Sequence, residues 1–145
     1  MSDVAVLSHE YQTVSNFARE LNQSLVALKK ALVSTPGAGT VGSAALEGDR
    51  LLLAEFVDGL ALLLDSDARQ SQGEAAARVP GAVVARVRAE REGDLDSFLE
   101  DLRAISCRLR NYPEQITQED VAFLDEIAAS AEAETTKVFR RLMRR

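Results

Sequence analysis

Val4, Leu7, Tyr11, Val14, Ala18, Leu21, Leu25, Leu28 and Leu32 follow one another at alternating steps of three and four residues. An α-helix turns that spacing into a single apolar seam, and a strand does not. The run predicts a first helix of about 30 residues, roughly 45 Å long. So long a seam needs covering, which calls for further helices from the same chain or from a second one. Ser2 or Asp3 is placed to cap the start. Ser34-Thr35-Pro36-Gly37 ends the helix, because Pro36 disfavours a helical residue before it.

Three more segments supply that cover. Residues 35 to 43 read as a glycine-rich connection, with Ser43 as N-cap of a second helix. Leu46, Leu53, Phe56, Leu60 and Leu63 form its main stripe, and Leu52, Val57 and Leu64 widen it, so it sits deep or meets another chain. The pattern fades after Asp65 and breaks at Val79-Pro80-Gly81. Pro80 suits the first turn of a third helix, where its missing N–H goes unused. Val83, Val84 and Val87 open that helix, and Leu95, Phe98, Leu99, Leu102, Ile105 and Leu109 resume it one residue out of register. Either the helix kinks at Gly93 or Asp94 caps a new one. Asn111-Tyr112-Pro113 ends it, and Thr117-Gln118-Glu119-Asp120 resembles a capping box for the last helix. That helix repeats Val121, Leu124, Ala128, Ala131, Thr135, Val138 and Leu142 at steps of three and four.

The expected fold is therefore all-α: an antiparallel up-down-up-down four-helix bundle formed by residues 1–145 as a single domain. A long hairpin completed by a second chain is the alternative. Composition agrees with helix over sheet, since 46% of residues are apolar, three are proline and none is tryptophan.

Several function classes are disfavoured. A net charge of -6 argues against nucleic-acid binding. Cys107 is the only cysteine, which rules out an intrachain disulfide or a cysteine-based zinc site and makes a reducing compartment, the cytoplasm, the expected location. The N-terminal residues lack a secretory pattern. Leu51 to Leu64 is interrupted by Glu55, Asp58 and Gly59 and falls short of the roughly 20 apolar residues of a membrane span.

Candidate sites divide by the chemistry they could support. Gly37, Gly39 and Gly42 fit a dinucleotide-loop spacing, but the segment before them is helical and not a strand, so an interhelical loop explains them and no cofactor is expected. Glu20, Glu55, Asp58, Glu100 and Asp101 lie mainly beside the apolar stripes, and with one histidine no metal site is expected. Cys107 falls opposite the Leu102, Ile105, Leu109 seam with Arg103 and Arg110 within a turn, a setting that lowers a thiol pKa in some proteins and is incidental in most. Lys137, Arg140, Arg141, Arg144 and Arg145 form a cationic terminus that suits an acidic or phosphate-bearing partner, or simply complements the helix dipole.

Ser8-His9-Glu10-Tyr11-Gln12-Thr13 resembles the phosphoacceptor box of histidine kinases, in the dimerisation and histidine-phosphotransfer hairpin, where the pattern reads Ser-His-Glu-Leu-Arg-Thr-Pro. The resemblance implies phosphoryl acceptance at His9, assistance by Glu10 and support of phosphatase activity by Thr13. Leu52 to Ala68 would then be the returning helix. Val14 stands where the pattern has proline.

With strong heptads and no assembled catalytic constellation, the leading expectation is a noncatalytic helical interaction module: an oligomeric adaptor, regulator or assembly subunit. The alternatives are a kinase-less phosphotransfer or response-regulator docking protein using His9, and a small-molecule-binding bundle.

Overall fold

A computed structural model describes residues 2–33, 44–65 and 79–144, the side chains of residues 2, 3 and 33 excepted. Among these the chain forms five α-helices and two 3-10 turns, and no strand. The helices are α1 (Ser2–Val33), α2 (Glu47–Leu64), α3 (Gly81–Glu90), α4 (Leu95–Asn111) and α5 (Gln118–Met143). None is long and apolar enough to cross a membrane.

The three-and-four spacing of α1 does what it predicts over most of its length. Val14, Ala18, Leu21, Leu25 and Leu28 are buried, joined by Phe17. The seam fails at its start, where Val4 is 43% exposed. The partner helix explains this. Tyr11 packs on Phe139 of α5, Asn22 donates to Glu132 at 2.7 Å, and Lys29 pairs with Asp125 at 2.8 Å. Residue number rises along α1 as it falls along α5, so Val4 lies level with the end of α5, where its cover is incomplete. The same register brings Leu21 and Leu25 level with Ala131 and Ala128, all buried, and large side chains meeting small ones let the helices approach closely.

α2 joins this pair on the α1 side, through an edge-on contact of Phe17 with Phe56 and a bond from Ser24 to Asp49 at 3.2 Å. Its breadth reflects two neighbours. α4 packs on another part of its surface, with Ser106 and Arg110 both bonded to Asp58 and Arg103 paired with Asp65 at 2.9 Å. Buried residues from all five helices form one contiguous apolar cluster.

The expected third helix is two helices. Arg91 to Asp94 form a turn between α3 and α4, so the register slip is a break and not a kink. Asp94 occupies the N-cap position of α4, but its side chain makes no capping bond. The joint is held instead by Arg91, whose guanidinium lies 4.8 Å over the Phe98 ring and pairs with Glu126 of α5 at 2.9 Å. Pro80 sits one position earlier than expected, as the N-cap residue of α3, where its carbonyl accepts from Val83 and Val84. A 3-10 turn at Ala44–Leu46 precedes α2, and Leu46 is its N-cap residue. Ser43 lies outside the described residues.

The capping box of α5 is present. Thr117 accepts from the Asp120 N–H at 3.3 Å, and Asp120 accepts from the Thr117 N–H at 3.1 Å. Asp120 also accepts two bonds from Arg108 of α4, at 2.7 and 3.1 Å. One buried carboxylate thus starts α5 and ties it to α4. The Asp120 hydrogen bond is the main reason the Arg108 guanidinium titrates above its ordinary value, so this pair stays charged on the arginine side at any working pH.

The register makes a direct contrast. Leu25→Ala should cost about 2–5 kcal/mol in urea unfolding, as expected for a fully buried leucine. Val4→Ala, in the same heptad series, should change stability by no more than about 0.5 kcal/mol. Equal losses would refute the register described.

Candidate functional site

The residues singled out for phosphotransfer all lie on α1, yet their polar groups do not converge. His9 is exposed. The Thr13 hydroxyl donates to the backbone carbonyl of His9 at 2.9 Å, a local bond common for threonine in helices. Glu10 is turned to α5, where Arg141 pairs with it at 3.5 Å. The imidazole therefore stands on the surface without a partner among the described residues, while its two neighbours are engaged elsewhere.

The acidic residues read as solvated flanks separate into two groups. Glu20, Glu100 and Asp101 are exposed. Glu55 and Asp58 are half-buried, and Asp58 accepts from Ser106 and from Arg110, which makes it a tie between helices. No group of three or more His, Cys, Asp or Glu side chains is arranged to hold a metal among the described residues. Cys107 is exposed, and the Asn111 amide lies 3.9 Å from its sulfur. Gly37, Gly39 and Gly42 lie outside the described residues.

The cationic end of α5 is where side chains from two helices do come together. Arg86 of α3 faces Lys137, Arg140, Arg141 and Arg144 of α5 across an open hollow of about 590 Å³. Arg86 is held from outside the hollow by Glu134, which is 5% exposed although it is a carboxylate. Burial is tolerable because Arg86 donates to it at 3.0 Å. Arg86 also reaches Glu90 one turn along α3, at 3.4 Å. Arg145, the fifth cation of the expected α5 cluster, lies outside the described residues.

Arg86 and Glu134 are the members that sequence reasoning missed, and a signal existed. Ile127, Ala131, Glu134 and Val138 also step by four, three and four, which places Glu134 on an inward face beside the seam. An ionisable residue at such a position asks for a cation on the neighbouring helix. Arg86, directly before the buried Val87, is that cation.

Comparison of the chain with protein-family models, with curated proteins and with solved structures finds no match. The site is therefore read from its own chemistry.

Glu134→Ala would leave the Arg86 guanidinium without its buried partner. It should lower unfolding stability by about 1–3 kcal/mol, whereas Glu90→Ala, which removes an exposed pair, should stay within about 0.5 kcal/mol. Denaturant melts of both variants check this, and identical midpoints would show that Glu134 holds nothing in place.

Proposed function

We propose that this chain is a noncatalytic helical interaction module that works as an oligomer, serving as an adaptor, regulator or assembly subunit. Its framework in this reading is an antiparallel up-down-up-down four-helix bundle in which α3 and α4 share the third position. The observation that carries the proposal is an apolar surface at one end. Val6 and Met143 are 61% and 66% exposed, and Val4 and Phe139 43% and 44%. The α1–α5 register brings Val4, Phe139 and Met143 to one side at the start of α1 and the end of α5, since Val4 shares the face of Tyr11, whose ring packs on Phe139, whereas Val6 lies on the other side of α1. Scattered exposed apolar residues are ordinary, but three large ones on one side of one end favour burial against a second surface.

Self-association is the direct test. Sedimentation velocity over a concentration series should reveal a dimer or larger species, and Val4→Glu with Met143→Glu should shift it to monomer without loss of helicity. A wild-type chain that remains monomeric at every concentration would overturn this reading.

A second reading rests on the exposure of His9. An unpartnered imidazole on a helix surface is accessible to a phosphodonor or a response-regulator partner, as the phosphoacceptor resemblance implies. Incubation with phosphoramidate or a phosphorylated response regulator would then yield an acid-labile, base-stable phosphoprotein that His9→Ala abolishes. Absence of any such species from the wild type removes this reading and leaves the first intact.

A further inference from the structure

The hollow between α3 and α5 has more positive charge than its place in the fold requires. A helix C-terminus favours cations only within its last turn. Lys137 stands about two turns before Arg144, and Arg86 belongs to a different helix altogether. Nor does general basicity explain it, since the chain as a whole carries -6. Two of the five cations are partly neutralised: Arg86 by Glu134 and Glu90, and Arg141 by Glu10. Lys137, Arg140 and Arg144 have no carboxylate partner among the described residues.

The rest of the lining narrows the ligand. Ala133 and Thr136 complete the wall, so no aromatic ring is present to stack a base, as single-stranded nucleic acid would need. Recognition must come from charge and N–H donors. Guanidinium groups present donors in a planar fork that matches two oxygens of one phosphate, and the lysine adds a compact charge. Three unneutralised cations around one hollow call for more than a single negative charge. A volume of about 590 Å³ is that of a small-molecule site, within the usual range of about 300–1,000 Å³.

We propose that this hollow binds a ligand carrying two or more adjacent phosphate groups, held by Lys137, Arg140 and Arg144 of α5 with Arg86, paired with Glu134, lining it from α3. The inference is independent of self-association, which concerns the apolar end residues. Such a ligand is either a free oligophosphate or the multiply phosphorylated headgroup of an inositol lipid, and both present the same chemistry to the site.

Isothermal titration of the whole chain with inorganic triphosphate, pyrophosphate and orthophosphate tests the shared chemistry. Saturable one-site binding is expected, tightest for triphosphate and weakest for orthophosphate, and falling as salt is raised. The triple variant Lys137→Ala, Arg140→Ala, Arg144→Ala should bind at least about tenfold more weakly, with unchanged circular dichroism. Co-sedimentation with vesicles containing a bisphosphorylated inositol lipid, against phosphatidylserine vesicles of equal charge, distinguishes the sources. Preference for the inositol lipid over free triphosphate assigns the headgroup, and the reverse assigns the free ligand. Failure of both probes to bind saturably, binding that the triple variant leaves unchanged, or equal affinity for polyglutamate would each overturn the proposal.

Discussion

Close approach of α1 and α5 is the contact on which the other helices depend. Alanines at 128 and 131 face the leucines of α1 and are buried with them, so the two longest helices lie along one another. α2 then packs on the α1 side through Phe17 and Phe56. α3 packs on the α5 side through Arg86 and Glu134. α4 is joined to both flanks, to α2 at Asp58 and to α5 at Asp120. Larger side chains at 128 and 131 would push the central pair apart and move every helix seated on it.

Apolar seams of this kind specify burial better than they specify register, because leucine packs acceptably at several offsets. Polar groups set the offset here. Asp120, Glu134, Ser106 and Ser24 are buried, and each is bonded to a residue of a neighbouring helix. No buried side-chain N or O among the described residues lacks a partner. A one-turn slip of α5 against α4 would separate the buried Asp120 carboxylate from the half-buried Arg108, and an unpaired buried charge is costly. These bonds add little net stability, and they exclude alternatives instead.

That division explains how much was legible in the sequence. The helical class, the end of α2 and the start of α5 follow from spacing and stop signals, which act locally, whereas α2 starts at Glu47 behind a 3-10 turn and α1 already includes Ser2 and Asp3. The capping box at Thr117 and Asp120 was legible for the same reason. The failure of the seam at Val4 was not, because it depends on where α5 stops. The break between α3 and α4 was legible as a slip at Arg91 to Asp94, but its cause was not, since Arg91 is held by Phe98 ahead of it and by Glu126 on another helix. The cationic cluster was half visible: four members share one helix end, whereas Arg86 reaches it only through the packing of α3 on α5. Similarly, the Ser8 to Thr13 segment reads as a unit in sequence, and in three dimensions its carboxylate faces α5 and its threonine closes on its own helix.

The pair between Glu10 and Arg141 connects these two regions. At 3.5 Å, with both side chains substantially exposed, it holds the two groups by no more than about 1 kcal/mol. Arg141 lines the cationic hollow, so an anion seated there draws on the same guanidinium that Glu10 holds. Phosphate oxygens offer that guanidinium a stronger, bidentate partner than a single exposed carboxylate at this distance. On the proposed reading of the hollow, a bound anion would compete with Glu10, next to His9 on α1, for Arg141. Arg141 thus belongs both to the lining of the hollow and to the contact that joins α1 to α5, and that contact is weak enough to exchange.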